Sequence, residues 1–371
     1  MINKLRLLLT VLVIGLGGVV FSGISFAQED GEMMLEGEVR RIVSYGKEIS
    51  EEGSLAFQEL EVEITGRENK GQVIVVKNYE GSVYLGPLSY EEYKAGDRLR
   101  ISAIRNIDGE VLYNISGKIK RDGIYNLLFL FIVVVLVVGR VWGALSVLGL
   151  LVSFLVIFKL IIPLIIRGMN PVLASILGSM VIIPTTFYIS HGFNRKTHVG
   201  VITTFISLMI TGFLAVYFVD ATHLTGFASE EAGFLSVERQ GTIDIKGLLL
   251  AGIIIGTLGV LDDVTVGQAS TVQQLKISNG GMKAKELFVK GMKVGQDHIS
   301  SMVNTLVLVY SGSALPLLLL FYDSNKSFLD IVEYELIAEE IVRMLVGSIG
   351  LVLAAPMSTA LAAYLFSRVR R

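Results

Sequence analysis

The chain contains no cysteine among its 371 residues, which excludes disulfides, thiolate metal sites and cysteine nucleophiles. Charged residues are also scarce, at 18%, whereas 52% of the residues are hydrophobic and the mean hydropathy is +0.63. Soluble domains carry more charge than this. Apolar runs long enough to cross about 30 Å of hydrocarbon recur many times along the chain. The composition therefore predicts a polytopic α-helical membrane protein.

Two classes of membrane hydrolase lack their motifs here. A zinc protease needs a His-x-x-x-His pair with a glutamate beside the first histidine, and the sequence has none. An intramembrane aspartyl protease needs aspartates inside two separate helices. Asp297 together with Asp262 or Asp263 would supply the two aspartates. However, Asp297 precedes its predicted helix, and no glycine motif surrounds it. We therefore predict that the protein is not an enzyme.

Residues 1–27 have the pattern of a signal segment. Lys4 and Arg6 precede an apolar run, and Ser25-Phe26-Ala27 provides small residues ahead of a cleavage point. Cleavage, or retention of the segment as an N-terminal membrane anchor, both stay open. Either outcome sends the following residues across the membrane.

Residues 28–122 predict a small extracytoplasmic β domain. Alternating segments indicate five short strands, at 36–43, 60–64, 72–76, 98–104 and 111–115. Five short strands fit a small barrel of the OB or SH3-like type. The region holds 19 acidic and 13 basic residues, a balance of −6, which argues against nucleic-acid binding. A module that binds an envelope protein partner and a simple spacer domain both remain open.

Residues 123–371 predict a transmembrane helical domain with about seven spans. The spans are expected at 124–139, 143–166, 171–190, 199–219, 246–262, 300–321 and 341–366. Basic residues concentrate in alternate connections, above all in the lysine-rich segment between 276 and 293 and in the tail. The positive-inside rule then places residues 28–122 outside the cell and the C-terminus in the cytoplasm. The lipid bilayer is the one partner that the sequence predicts directly.

Acidic and histidine residues gather at the predicted cytoplasmic ends of these spans. They are His191, His198, Asp262, Asp263, Asp297 and His298. The span 246–262 is expected to end at Asp262-Asp263, and Asp297-His298 is expected to open the next helix at Ile299. Such groups suit cation binding or proton relay. The alternative is that helix ends simply tolerate charge near water. Whether the protein binds a cofactor or a metal stays open.

A polar stripe follows His298 along the sixth predicted span. Ser301, Asn304 and Thr305 share one helical face, and Asn304 is the bulkiest polar member. The stripe would line a pathway or make hydrogen bonds between helices. Further on, Ser311-Gly312-Ser313 precedes Pro316 and predicts a break in the helix. Such a break can line a substrate site in transporters, or the same small residues only permit close packing.

Small residues predict close helix packing in two places. One is the Gly252-x-x-x-Gly256 pair, and the other is the alanine-rich run from Ala354 to Ala363. A third segment, 282–294, is amphipathic and rich in lysine. It is expected to lie on anionic lipid or to contact a partner.

Several of these motifs together resemble the YibE/F-like family of bacterial multi-pass membrane proteins. The strings are Gly259-Val260-Leu261-Asp262-Asp263-Val264-Thr265, Gly295-Gln296-Asp297-His298-Ile299-Ser300-Ser301, Asn304-Thr305-Leu306-Val307-Leu308 and Gly168-Met169-Asn170-Pro171. Gln296 stands where the family pattern often has a basic residue, so an anion-pairing role is not carried over. The resemblance implies a bacterial plasma-membrane location and supplies no substrate or catalytic residue.

Two functions follow as hypotheses. The first is a transporter or permease in which Asp262, Asp263, Asp297, His298 and Asn304 bind or relay a cation or proton. The second is a scaffold or signalling protein that does not transport, and whose β domain binds an envelope partner. The substrate, the direction of transport and the oligomeric state are not predicted.

Overall fold

The computed structural model describes residues 32–50, 53–66, 69–79, 91–105, 111–322 and 327–368. The predicted signal or anchor segment, 1–27, lies outside these residues. The described chain falls into two compact units, and the boundary between them in the sequence lies between Val134 and Val135.

The first unit is built on a five-stranded antiparallel sheet. Its strands are β1 (Glu32–Ser50), β2 (Gly53–Ile64), β3 (Val73–Tyr79), β4 (Arg98–Arg105) and β5 (Val111–Lys118), in the order β3-β2-β1-β4-β5. All five predicted strands are present. Alternation is clearest in β3, where Ile74, Val76 and Asn78 are buried.

The sheet curls because its central strand changes partner along its length. The first part of β1 pairs with β4 and the rest pairs with β2. Register shifts near Arg40 and Val43 interrupt the second pairing, and such bulges bend and twist a strand. The edge strands β3 and β5 come within 8 Å of each other. The result is a curled half-barrel, which confirms the predicted small barrel-like β domain in part. β1 is also longer than predicted, because two partners set its length.

Two buried amides anchor the segment before β4. The Gln58 side chain donates to the Tyr93 carbonyl at 2.7 Å and accepts from the Tyr93 N–H at 3.0 Å. The Asn78 amide donates to the Glu91 carbonyl at 2.9 Å. A buried amide that satisfies its hydrogen bonds stabilises one backbone path. These contacts fix residues 91–94 over the sheet core, although no strand pattern marks them in the sequence.

The rest of the described chain is helical. Its elements are α1 (Arg121–Val156), a π-helical turn (Ile157–Ile161), α2 (Ile162–Ile166), α3 (Pro171–His191), α4 (Arg195–Ala221), α5 (Glu230–Glu238), α6 (Ile245–Ser278), α7 (Ala284–Ser313), α8 (Leu315–Tyr322), α9 (Phe328–Val332) and α10 (Glu335–Ser367). Five helical segments are long and apolar enough to cross a membrane, or six if the bent pair α7–α8 counts as one span. The seven predicted spans are therefore not confirmed.

The difference in the number of spans arises in the first helical segment. Two spans were predicted where the structure has one continuous segment, Arg121–Ile166. Within it, Arg140 has φ 51° and ψ −129°, which no helix adopts. A β-carbon added to Gly143 would collide with the carbonyl oxygen of Val135. Residues eight apart in a straight helix lie about 12 Å from each other, so the chain bends sharply at Arg140.

The helices α6 and α7 are longer than predicted. The span expected to stop at Asp262 continues to Ser278, and the helix expected to open at Ile299 already begins at Ala284. The predicted positions of Asp262, Asp263, Asp297 and His298 at helix ends are therefore wrong. The segment of α6 after residue 263 is mostly polar, but one of its faces is apolar. This face packs with the start of α4 and the end of α10 in one core, whose buried members are Val199, Ala269, Val272, Met282, Leu287, Ala362, Ala363 and Phe366.

Other predictions for the helical unit are confirmed. The helix breaks at Ala314, where α7 and α8 meet at an angle of 67°, two residues before Pro316. Ala354, Ala355, Ala362 and Ala363 are buried in the bundle. The lysine-rich segment 282–294 forms the start of α7, whose Leu287 and Gly291 are buried.

A set of buried hydroxyl and amide side chains joins α4, α6 and α10. We call Thr204, Thr265, Gln268, Ser358 and Thr359 the hydroxyl network. The Thr204 and Thr265 hydroxyls lie 2.8 Å apart. Ser358 donates to the Thr265 carbonyl at 2.6 Å, and Thr359 donates to the Gln268 amide oxygen at 3.0 Å. These bonds hold the helix that carries Asp262 and Asp263.

Candidate functional site

Two contacts between α3 and α6 show how far the candidate site lies from the start of these helices. At their starts, the capping side chains Asn170 and Asp244 lie 3.3 Å apart. Further along, His191 on α3 approaches Asp262 on α6. At 1.5 Å per residue, the second contact lies roughly 27–32 Å from the first. This length matches the hydrocarbon thickness of a bilayer, about 30 Å. Asp262 thus lies in the middle of a helix and yet at the edge of a membrane-sized layer.

The contact between His191 and Asp262 is the centre of the site. The Nε2 atom of His191 lies 3.7 Å from the Asp262 Oδ1 atom, and both side chains are 35% exposed. Buried Phe187 packs edge-on against the His191 ring, with centroids 6.5 Å apart. The distance is too long for a hydrogen bond, and Oδ1 is buried without a hydrogen-bond partner among the described residues. The pair is therefore an electrostatic contact with unused hydrogen-bonding capacity.

Asp263 and His298 complete this group. Asp263 is exposed on the outer face of α6 and interacts electrostatically with Asp262, His191 and His298. His298 is half-buried on α7, and its Nε2 atom has no hydrogen-bond partner in the described chain. We call His191, Asp262, Asp263 and His298 the acid–histidine cluster. It draws two carboxylates and two imidazoles from three helices.

Two predicted site residues lie elsewhere. Asp297 and Asn304 are both exposed on α7. The neighbouring Thr305 donates to the Ser301 carbonyl of its own helix at 3.0 Å. The predicted polar stripe thus lies on the outer surface of the bundle rather than beside Asp262. It remains exposed because the inner face of α7 is apolar, with Leu306 buried and Met302 packed against the core.

The histidines of the α3–α4 turn have separate roles. The Tyr188 hydroxyl lies 2.7 Å from Nδ1 of His198, and the Phe193 ring stacks on Tyr188. His198 is therefore held in an aromatic group, whereas His191 faces Asp262. The sequence placed both histidines on the same side of the membrane but did not single out His191. The only signal for it was the topology, which brings the end of α3 level with Asp262.

The glycines of α6 do not pack as predicted. Gly252, Gly256, Gly259 and Gly267 are exposed on the same face as Asp263. A β-carbon added at Gly252, Gly259 or Gly267 would meet no described atom within 4 Å, and at Gly256 it would lie 3.6 Å from the Tyr310 hydroxyl oxygen. We call these four glycines with Asp263 the open face of α6. The expected close approach of a helix at Gly252 and Gly256 is wrong, because the neighbouring helices pack on the opposite side of α6.

The residue types of the acid–histidine cluster are ones that can exchange protons. Within the described residues, no group of three or more histidine, aspartate or glutamate side chains is arranged to hold a metal ion. An imidazole and a carboxylate beside each other can share and pass a proton near neutral pH. The Oδ1 atom of Asp262 and the Nε2 atom of His298 both lack a hydrogen-bond partner among the described residues. Either atom could accept such a proton.

The helical unit thus belongs to the class of helix bundles with five or six helices able to cross a membrane. A family model described as "YibE/F-like protein" matches residues 127–368, which include most of α1 and all later helices. The chain belongs to this family. No curated protein and no solved structure matches the chain. The sheet lies outside the matched residues, so the family assignment rests on the helices that carry the acid–histidine cluster.

Proposed function

We propose that this protein is a bacterial plasma-membrane transporter or permease that uses the acid–histidine cluster to bind and relay protons. The observation that carries the proposal is the His191–Asp262 contact. It joins two helices at the edge of a membrane-sized layer and leaves the buried Oδ1 atom of Asp262 without a hydrogen-bond partner among the described residues. Ionisable groups on membrane-spanning helices that face a neighbouring helix often mark ion or proton pathways. In this proposal, the protein catalyses no covalent chemistry.

A proton is the favoured ion on chemical grounds. A metal site needs several oxygen or nitrogen ligands converging on one point, whereas the cluster offers one contact pair with two outlying groups. Asp262 and Asp263 are adjacent in the sequence, and their negative charges repel each other. Asp297 and Asn304 are exposed on α7. In this proposal they take no part in the relay.

The orientation is part of the same proposal. If the bend at Arg140 separates two spans and α7–α8 forms another, the helices make seven crossings. Seven crossings would put residues 28–122 and the C-terminus on opposite sides of the membrane, and in this proposal residues 28–122 are outside the cell. The lysine-rich segment then lies on the cytoplasmic side, beyond the acid–histidine cluster along α6 and α7. This arrangement agrees with the positive-inside rule.

Proton flux in proteoliposomes tests the proposal. The protein is reconstituted with an internal pH-sensitive dye, and a membrane potential is imposed with a mixture of small metabolites on both sides. We expect Asp262→Asn to lower the proton flux at least tenfold, because the relay loses its titratable group. Asp297→Asn is the matched control and should retain most of the flux. Equal flux for Asp262→Asn and the wild-type protein would exclude the relay role.

The sheet supports a second candidate, a scaffold that does not transport and that binds an envelope protein. β3 is an edge strand, and Val73 and Val75 are exposed on its outer side. An edge strand with apolar side chains can accept a strand from a partner. Crosslinking of the full-length protein in cells, followed by comparison with a Val75→Lys variant, tests this. A partner lost only in the variant would favour the scaffold, and no crosslinked partner would count against it.

A further inference from the structure

A second charged group lies at the other end of the bundle, on the first turns of α10. Glu335 begins the helix and accepts hydrogen bonds from the backbone N–H groups of Thr225, at 2.6 Å, and Gly226, at 3.1 Å. These bonds fix the start of α10 against the segment that follows α4. Next on the helix come Glu339, Glu340 and Arg343.

Glu339 is the most deeply buried charged residue of the described chain. It is only 9% exposed, and its Oε1 atom has no hydrogen-bond partner among the described residues. The backbone N–H of Ala228 donates to its carboxyl group. Burying a carboxylate with an unsatisfied oxygen is strongly unfavourable, and protonation removes most of that penalty.

The positive charge of Arg343 only partly offsets the cost of burying the Glu339 carboxylate. The guanidinium of Arg343 donates to Glu340 at 2.9 Å, while the Oε2 atom of Glu340 and the Nε atom of Arg343 remain unpartnered within the described chain. Glu335 and Glu340 add negative charge from the same helix, and Tyr310 of α7 adjoins Glu340 and Arg343. Glu339, Glu340 and Arg343 thus carry two negative charges and one positive charge when ionised. One proton makes the group neutral.

The location places this group opposite the acid–histidine cluster. The helices α6 and α10 run parallel, because Gly347 adjoins Thr257 and Ser358 adjoins Thr265. Glu339 lies 19 residues before Ser358, and Asp262 lies three residues before Thr265. The two carboxyl groups are therefore separated by roughly 24 Å along the helix axes. Gly252, Gly256 and Gly259 of the open face lie between these levels, with the Tyr310 hydroxyl beside Gly256.

We propose that Glu339 is a second proton-binding site, which holds a proton at neutral pH and exchanges it at the opposite edge of the bundle. A metal cation is the poorer occupant, because the Arg343 guanidinium beside the two carboxyls repels it and few oxygen ligands converge there. Exchange between this site and the acid–histidine cluster rests on the proposed transport function. Proton binding by Glu339 does not.

Infrared spectroscopy of the full-length protein in lipid nanodiscs tests proton binding directly. A protonated carboxyl group has a carbonyl stretching band that disappears when it ionises. We expect a pH-dependent band that is absent in Glu339→Gln and retained in Glu340→Gln, the matched neighbour. If Glu339→Gln does not fold, Glu339→Asp should keep the band and shift its frequency and its pH midpoint. A band unaffected by every Glu339 substitution would overturn the proposal.

The result separates this site from the proposed function. If wild-type proteoliposomes carry no proton flux but the band is lost in Glu339→Gln, Glu339 binds a proton in a protein that does not transport. If flux depends on Asp262 and no band is lost, the relay stands and Glu339 is not a proton site. If the flux depends on Asp262 and the band is lost in Glu339→Gln, then Glu339→Gln should also lower the flux at least tenfold.

Discussion

One side of α6 is packed against neighbouring helices, and the other side is exposed. On the packed side, Thr257, Leu261, Thr265 and Gln268 are buried against α4, α7 and α10. On the open face, four glycines and Asp263 are exposed, and the glycines leave room where side chains would stand. Glycines also occur where helices do meet, as at Gly200 of α4 against Val266. Glycine in an apolar helix therefore indicates close packing only when a partner helix lies opposite it.

The same contrast separates structural polar groups from candidate functional ones. The hydroxyl network forms hydrogen bonds between helices. One turn away, Asp262 presents a buried oxygen without a hydrogen-bond partner in the described chain. A satisfied polar group stabilises packing, whereas an unsatisfied charged group requires a proton, a ligand or water. The hydroxyl network is therefore assigned a structural role, and Asp262 is the candidate functional group.

The largest expected effect comes from adding the same side chain to each side. Gly200→Leu should destabilise the bundle by about 3 kcal/mol or more, because the β-carbon alone would lie 2.7 Å from the Val266 Cγ2 atom. Gly252→Leu, on the open face, should leave stability within about 1 kcal/mol of wild type or raise it, since glycine is a poor helix former. Thermal unfolding in detergent measures both. Equal losses would mean that another surface covers the open face.

The next effect concerns the His191–Asp262 contact. His191→Gln and Asp262→Asn should each lower proton flux about tenfold, and the double variant should be hardly worse than either, because residues that act as a unit are not additive. Proteoliposome flux for the four proteins of this cycle measures the coupling. His198→Gln is the matched control, since His198 contacts Tyr188. Multiplied losses in the double variant would show that the two residues act separately.

The sequence could predict the elements that depend on neighbouring residues, but not those that depend on contacts between distant parts of the chain. The five strands and most helices follow from local alternation and apolar runs, and the break before Pro316 follows from its residues. The continuation of α6 to Ser278 does not, because polar residues there mask the buried Ala269 and Val272. Their burial depends on α10, more than ninety residues away.

The candidate site shows the same division. Asp262, Asp263 and His298 were selected from the sequence as costly groups near a membrane edge, and the structure brings them together with His191. Asn304 was selected by its residue type and lies on the outer surface. Helical spacing gives the face that a residue shares with its neighbours, but it does not tell which face meets the bundle. Glu339 was missed as a site because its burial comes from tertiary packing at a helix start.

A smaller effect tests the packed side of α6. Ser358→Ala removes the hydrogen bond to the Thr265 carbonyl and should destabilise the protein by about 1 kcal/mol, a usual value for hydrogen bonds between membrane helices. Proton flux should be unchanged, because the relay residues keep their positions. Unfolding midpoints and flux are measured on the same preparations. A large loss of flux without a loss of stability would show that the hydroxyl network belongs to the relay.

The smallest effect extends the comparison to the sheet, where charged groups are paired and near solvent. Glu36 accepts from both terminal nitrogens of Arg121, one at 2.5 Å and the other at 2.7 Å. This hydrogen bonding and the charge of Arg121 hold the pKa of Glu36 below its ordinary value of 4.5. A lowered carboxylate pKa contributes stability that is present above pH 4.5 and is lost as the pH falls through the folded-state value.

Glu36→Gln should therefore protect β1 less well than wild type at pH 7 and about equally well in strong acid. The difference should stay below about 1 kcal/mol, because the pair is partly exposed and screened by solvent. Hydrogen exchange of β1 amides, compared between the two proteins at each pH, measures it. Glu38→Gln alters an exposed residue of the same strand and should have no such pH dependence. If Glu36→Gln has none either, the paired charges of the sheet add nothing to its stability. Unfilled hydrogen-bonding capacity, rather than charge itself, would then distinguish the helical sites.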